Sequence, residues 1–298
     1  FFKQKTAYES MPSLVGSEMC IRDRVGAYSL SEAGAGTDAA AMSCKAKLSE
    51  DGTHYLLTGE KMWVTNGVCA DIYVLFAKDV DHPDYGGKKH GGTTAFIIEQ
   101  DFEGFTVGKK EDKLGIRSSD TCTLILENSK VPIENVLKEP GKGFPIAMNA
   151  LDNSRIGIAA QGLGIAQGAY ESALKYAHER EAFGVPIARH QMITSYLADM
   201  ATQVEAARLM VYKAAWTKEQ HYQHGGHRHS KEASMAKLFA GDTAMWVAER
   251  AVQVLGGYGY TTDFPVERFF RDAKITQIYE GTQEVQKLVI ARAISKDV

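Results

Sequence analysis

The feature that most constrains the fold is a change of hydrophobic period near residue 140 of a 298-residue chain. Between residues 25 and 136, short runs at 27–30, 54–58, 72–77, 93–98 and 121–126 are rich in Val, Ile, Leu, Tyr and Thr. Turn signals separate them: Asp51-Gly52, Asn66-Gly67, Gly86-Gly87 and Gly91-Gly92. No helical period comes between these runs, so the pattern predicts an antiparallel sheet or barrel rather than a βαβ array. After Gly141 the period becomes helical. Met192, Tyr196, Met200, Val204, Ala207, Val211 and Ala215 recur at three- and four-residue steps, as one helix face requires. Ala233, Lys237, Ala240, Ala244, Val247, Ala251 and Leu255 trace a second stripe, ending at Gly256-Gly257 as a C-cap. Residues 151–178 and 283–295 add two more helical segments, and four apolar faces predict a bundle. The His-rich stretch 218–231 reads as the loop between the two long helices. The expected organisation is α+β: a β domain at 25–136, then a helical domain at 141–298.

Composition narrows the partners. Apolar residues make up 44% and charged residues 24%, with a net charge of −3. Those values exclude a disordered or fibrous chain and predict no broad affinity for nucleic acid or anionic membrane. No run approaches the roughly 18 apolar residues of a membrane span. Cys20, Cys44, Cys69 and Cys122 form no CxxC pair, which points to a reduced, intracellular compartment. Residues 1–24 show neither period and lack the basic start and apolar core of a secretory signal. They read as a non-native read-through peptide or a poorly ordered tail.

Five local signals have chemical content. Within 28–38, Gly34-Ala-Gly36 followed by Ala39 matches the GxGxxA fingerprint, but the runs at 41–48 and 54–58 read as strands around a turn with no crossover helix. By pattern alone it is a structural turn, although free N–H groups in such a loop suit a phosphate or a ring edge. Trp63-Val64-Thr65 beside Asn66-Gly67 reads as a cross-strand packing Trp. Asp152-Asn153-Ser154-Arg155 reads as a helix start with a capping Asp or Asn, or as an Arg clamp for an anionic or carbonyl-bearing ligand. Glu280 lies in a helical break before Gly281, with Thr282 as cap of the next helix. There it is either a solvated loop Glu or a carboxylate turned into a cavity, where desolvation raises its pKa. His221, His224, His227 and His229 resemble a metal cluster, but Gly225-Gly226 and the lack of an acidic or Cys ligand predict no metal site.

In order and spacing these segments resemble the acyl-CoA dehydrogenase family, most closely its short-chain (butyryl-CoA) branch. The likeness runs through 28–38, 63–65, 110–117, 152–155, 179–184, 253–257, 271–273 and 278–282. The resemblance implies a β-barrel middle domain followed by a C-terminal helical bundle, with a helical N-terminal domain expected before Val25. It implies FAD, contacted by positions matching Tyr28, Leu30, Ser31, Gly36, Thr37, Trp63, Val64 and Thr65. Arg180, Gln191, Gln253, Val254, Leu255, Gly256 and Gly257 match contacts to the neighbouring subunit's FAD, and Thr282, Gln283 and Glu284 complete that set. Thr37, Asp152, Asn153, Ser154, Arg155 and Gly281 match acyl-CoA contacts.

Glu280 matches the family's catalytic base. The reaction the resemblance implies is α,β-dehydrogenation of a short-chain acyl-CoA to the trans-2-enoyl-CoA, as in fatty acid β-oxidation. The base takes the α-proton, while its backbone N–H and a ribityl hydroxyl of FAD stabilise the enolate; electrons pass to an electron-transfer flavoprotein. A homotetramer, built as a dimer of dimers, is implied, in the mitochondrial matrix or bacterial cytoplasm. Some relatives place the base directly before the substrate Arg, where this chain has Ser154. Ala33 replaces the family's usual Pro, and Thr37 its commoner Ser. The other readings are an acyl-CoA oxidase or branched-chain dehydrogenase, or an inactive flavin-binding or oligomerisation fragment.

Overall fold

A computed structural model of the chain describes residues 24–225 and 228–295. The expectation for residues 1–24 therefore lies outside the described residues, apart from Arg24. The described chain forms two compact units. One runs up to Asp112 and resumes at Arg117–Met148; the other comprises Lys113–Ile116 and the chain from Asn149 onward.

The first unit carries a seven-stranded sheet: β1 (Gly26–Ser29), β2 (Lys45–Leu48), β3 (His54–Thr65), β4 (Ile72–Asp79), β5 (Thr93–Glu99), β6 (Phe105–Lys110) and β7 (Thr121–Pro132). The order is β1-β4-β2-β3-β7-β6, with β5 on the other edge of β4. The β2–β3, β3–β7, β4–β5 and β6–β7 pairs are antiparallel, and the turn signal at Asp51-Gly52 joins β2 to β3. The β1–β4 and β2–β4 pairs are parallel. Their long connections permit this, and no local signal announces it. β6 falls outside the apolar runs of the sequence, because Thr106 and Lys109-Lys110 break its pattern. One face buries Tyr55, Leu57, Val64, Tyr73, Leu75, Phe96, Ile98, Leu124 and Leu126. Tyr73 meets Phe105 with ring centroids 4.8 Å apart.

The second unit is helical. α1 (Gly143–Glu179) has its C-terminal 31 residues here, and is followed by the small β8–β9 hairpin (Glu181–Ala182, Val185–Pro186). Then come α2 (Gln191–His224), α3 (Ser230–Leu255), α4 (Val266–Ala273) and α5 (Gln283–Ile294). Every residue of the second stripe is buried on α3, Lys237 included. On α2 the stripe drifts: Met192 is exposed, and Ala214 is buried instead of Ala215, because repeated four-residue steps outrun the 3.6 period. The seam is lined by Ala159, Ala166, Ala169, Ala173, Ala207, Ala240 and Ala244. Small residues bring the backbones close: a Cβ on Gly162 would lie 3.0 Å from the Ala240 carbonyl oxygen.

Two expectations are corrected. Asp152–Arg155 is not a helix start: α1 begins at Gly143, so the tetrad sits mid-helix and caps nothing. The His-rich loop is also shorter than 218–231. α2 continues to His224, where Gly225 ends it in the left-handed conformation at φ 66°.

Candidate functional site

The sequence-derived site residues fall into three groups, each described within its own unit. In the first unit, residues 28–37 leave β1 and are stitched onto β3. The Met62 N–H donates to the Ser31 carbonyl at 2.9 Å. The Lys61 Nζ donates to the Leu30 carbonyl at 3.2 Å and to Glu32 Oε1 at 2.7 Å. Glu32 also accepts from the Ser43 N–H at 2.5 Å, the Ser43 hydroxyl at 2.7 Å and the Cys44 N–H at 3.1 Å. Burial alone would raise the Glu32 pKa, but the Lys61 charge and these hydrogen bonds hold it below the usual carboxylate value. Leu30 turns into the core, whereas Gly36 and Thr37 are exposed.

Trp63 overturns the packing expectation. It sits in a bulge of the β3–β7 ladder at φ 57°, with its indole 57% exposed. A left-handed non-glycine residue holding a large aromatic in solvent runs uphill twice, which singles it out as a contact surface. Val64 beside it is buried, and Thr65 is exposed.

In the helical unit a cavity of about 500 Å³ is lined by Tyr176, Arg180, Ile187, Val254, Leu255 and the Gly256-Gly257 backbone, among others. The Arg180 guanidinium lies 5.8 Å from the Tyr258 ring centroid and has no carboxylate partner among the described residues. Gln191 and Gln253 are exposed and do not line this cavity. An unpaired guanidinium fork beside glycine backbone and apolar walls suits a phosphate-bearing ring system.

The third group surrounds Glu280, which adopts φ 54° directly before Gly281 at φ 87°. Ser154 donates to Glu280 Oε2 at 2.5 Å. Arg155 is buried, with Nη1 on Asp152 at 2.7 Å and Nε 3.4 Å from the Glu280 carbonyl oxygen. Asp152 accepts from Ser230 as well, so its carboxylate orients Arg155 and is fully engaged. Asn153 bonds the Tyr222 hydroxyl at 3.1 Å. Burial pushes the Glu280 pKa above the usual carboxylate value, while the Ser154 hydrogen bond and the Arg155 and Lys237 charges pull it part-way back. Thr282 caps α5, accepting from the Val285 N–H at 3.4 Å. Gln283 is buried and spent internally on Leu238, Asp242 and Lys237, and Glu284 is exposed.

Four residues went unrecognised as parts of these sites: Glu32, Lys61, Lys237 and Gln286. Lys237 alone left a trace, as a lysine on an otherwise apolar stripe. Its Nζ donates to the Gly281 carbonyl at 2.8 Å, and burial with the Arg155 charge pushes its pKa down to about 8. His227 lies outside the described residues, and no cluster of three metal-type ligands occurs among the described ones. His229 is buried, and neither ring nitrogen has a hydrogen-bond partner among the described residues.

Residues 27–129 match the acyl-CoA dehydrogenase middle domain, and 141–295 match the acyl-CoA dehydrogenase C-terminal domain. The chain belongs to the acyl-CoA dehydrogenase family. It is 50% identical over 272 residues to the short-chain-specific acyl-CoA dehydrogenase of Clostridium acetobutylicum, covering 91% of this chain and 69% of that protein. Butyryl-CoA dehydrogenase from Megasphaera elsdenii superposes with a TM-score of 0.87 at 48% identity, covering 93% of this chain and 70% of that one. An acyl-CoA dehydrogenase from Bacillus anthracis, solved with FAD, gives a TM-score of 0.87 at 34% identity, covering 94% of this chain and 49% of that one. Across its curated relatives the chain spans 62 to 71% of their length. No helix among the described residues is long and apolar enough to cross a membrane.

Proposed function

We propose that this chain is the middle and C-terminal part, approximately 25–136 and 141–298, of a short-chain acyl-CoA dehydrogenase. The exposed 28–37 loop and Trp63–Thr65 contact its FAD, while Arg180 and the 253–257 turn contact the FAD of a neighbouring subunit. The observation that carries the reading is the Glu280 joint: a partly buried carboxylate whose pKa desolvation raises, on a strained non-helical turn, within hydrogen-bond reach of Ser154.

When bound, FAD supplies the acceptor for the hydride that leaves the β-carbon of the acyl chain. Glu280 takes the α-proton. Desolvation raises its pKa and makes it a stronger base than an exposed glutamate, and the Arg155 and Lys237 charges offset part of that rise. Ser154 serves both states. It donates to the Glu280 carboxylate before transfer; afterwards it accepts a hydrogen bond from the new carboxyl O–H and turns its own hydrogen to the Leu151 carbonyl, 3.1 Å away. Arg155 braces the joint from α1. The Glu280 N–H has no acceptor among the described residues and is free to meet the thioester oxygen as charge develops there.

The substrate is butyryl-CoA or a near homologue, and the electrons go to an electron-transfer flavoprotein. The assembly is a homotetramer in a bacterial cytoplasm or mitochondrial matrix. In the FAD-loaded full-length protein, the Glu280→Gln variant retains butyryl-CoA binding but fails to bleach the flavin. Normal bleaching would refute the assignment of the base. Faster reoxidation by dioxygen than by electron-transfer flavoprotein would refute the choice of acceptor.

A further inference from the structure

We propose that Gln286 is a positioning residue for proton transfer: with Lys237 it clamps both carbonyls of the Glu280-Gly281 joint, and so aims the Glu280 carboxylate and N–H. The inference rests on Glu280 being the base.

Gln286 lies in the first turn of α5 and is fully buried. Its carboxamide reaches back past the helix N-terminus, where Nε2 donates to the Glu280 carbonyl at 3.1 Å and to the Gly281 carbonyl at 2.8 Å. Lys237 donates to the same Gly281 carbonyl from α3. Two helices thus place donors on two consecutive carbonyls, and Arg155 of α1 stands near the first. The amide orientation is forced: turned over, Oε1 would face two carbonyl oxygens and the two N–H donors would lose both acceptors.

Two details mark the clamp as more than packing. Gln286 Oε1 is buried with no hydrogen-bond partner among the described residues. A methionine of similar volume would fill the space without that unsatisfied acceptor, so the amide contributes only through its two donors. The joint it holds is also strained, since a non-glycine residue at φ 54° drifts back to ordinary backbone unless its surroundings over-determine it. The left-handed turn leaves no slack beside the amide: a Cβ at position 281 would sit 2.7 Å from Gln286 Nε2. With both carbonyls captured, the peptide planes on either side of Gly281 are fixed, and with them the direction of the Glu280 side chain.

The test compares Gln286→Met with the parent in the FAD-loaded full-length protein. Three quantities are read: kcat and KM for butyryl-CoA across pH, backbone amide exchange of the 278–283 segment without substrate, and the melting temperature. The clamp predicts kcat lower by about 10- to 100-fold, KM within about twofold, a displaced acidic limb of the pH profile and faster exchange at 278–283, all at an unchanged or higher melting temperature. A kcat and exchange rate like the parent's overturn it. So does a loss of kcat that merely tracks a fall in melting temperature. Should Gln286→Met fail to fold, Gln286→Glu keeps the shape while putting oxygen against the two carbonyls, and the same readings decide. If the parent itself turns over no acyl-CoA, the functional reading fails, while amide exchange still tests the clamp.

Discussion

The Lys61–Glu32 pair offers the sharpest test of how the flavin loop is built. Its side chains are 0% and 4% exposed and meet at 2.7 Å. Removing one partner of a buried pair costs about 3–5 kcal/mol, because the other charge stays behind uncompensated. In Lys61→Met, Glu32 keeps three donors from Ser43 and Cys44, which places the loss near 3 kcal/mol. The Leu30 carbonyl loses its Lys61 donor too, adding about 1 kcal/mol. Four kcal/mol in a unit of this size lowers the melting temperature by roughly 10–15 °C.

The pH dependence has a definite sign. In the parent, the Glu32 pKa lies below its usual value, so its contribution is present above pH 4.5 and disappears as pH falls through the folded value. Without Lys61, its charge and hydrogen bond no longer oppose burial and that pKa rises. The deficit of the variant against the parent therefore narrows on acidification. Melting curves by far-ultraviolet circular dichroism at pH 5 and 7.5 measure both effects. Lys61→Met/Glu32→Gln should recover at least half of the loss, since no buried charge remains. A fall of under about 3 °C at pH 7.5, or a deficit that ignores pH, refutes the reasoning.

Two other perturbations follow from the same physics. Lys237, whose pKa falls from 10.5 to about 8, makes the folded chain release a proton that the unfolded chain keeps between those pH values. The parent therefore gains about 3 kcal/mol from this residue as pH rises through that window, and Lys237→Met lacks the gain in pH-resolved chemical denaturation. At Trp63, glycine accepts φ 57° without strain, so Trp63→Gly melts no lower than the parent within about 1 kcal/mol, yet purifies with a smaller flavin fraction.

Much of the architecture was legible because it is periodic. The α3 stripe from Ala233 to Leu255 is buried at every residue named, since a 26-residue helix with one alanine-rich face has few ways to pack. The joint at 280–282 was legible for a local reason: Gly281 and the capping Thr282 stop one segment and start another. Start points set by distant structure were not legible. Nothing between Gly143 and Asp152 separates a loop from a helix until the preceding strands fix where the chain enters. The parallel pairing of β1 and β2 with β4 was hidden likewise, because it joins segments about 30–45 residues apart and other strands intervene in the chain. Among polar partners the rule is the same. Lys61 finds Glu32 29 residues away, and Lys237 finds the Gly281 carbonyl 44 residues away. A one-dimensional pattern holds no mark of either pair beyond a lysine where an alanine would pack.

What the two sites share explains why those lysines are buried at all. Trp63 and Glu280 are both left-handed non-glycine residues, one two residues after the buried Lys61 and the other tied to Lys237 through Gly281. A strained residue relaxes unless something rigid holds its neighbours, and a flexible surface contact cannot do that. A buried ammonium can. Once desolvated it must keep its acceptors or bear the full cost of an unpaired charge, so it transfers its own instability into rigidity of the backbone it touches. Lys61 does this for the Leu30 carbonyl, and Lys237 does it for the Gly281 carbonyl. Replacing Lys61 by methionine strands the Glu32 charge and replacing Lys237 removes a buried ammonium, and either change loosens the backbone that the chemistry needs held in place.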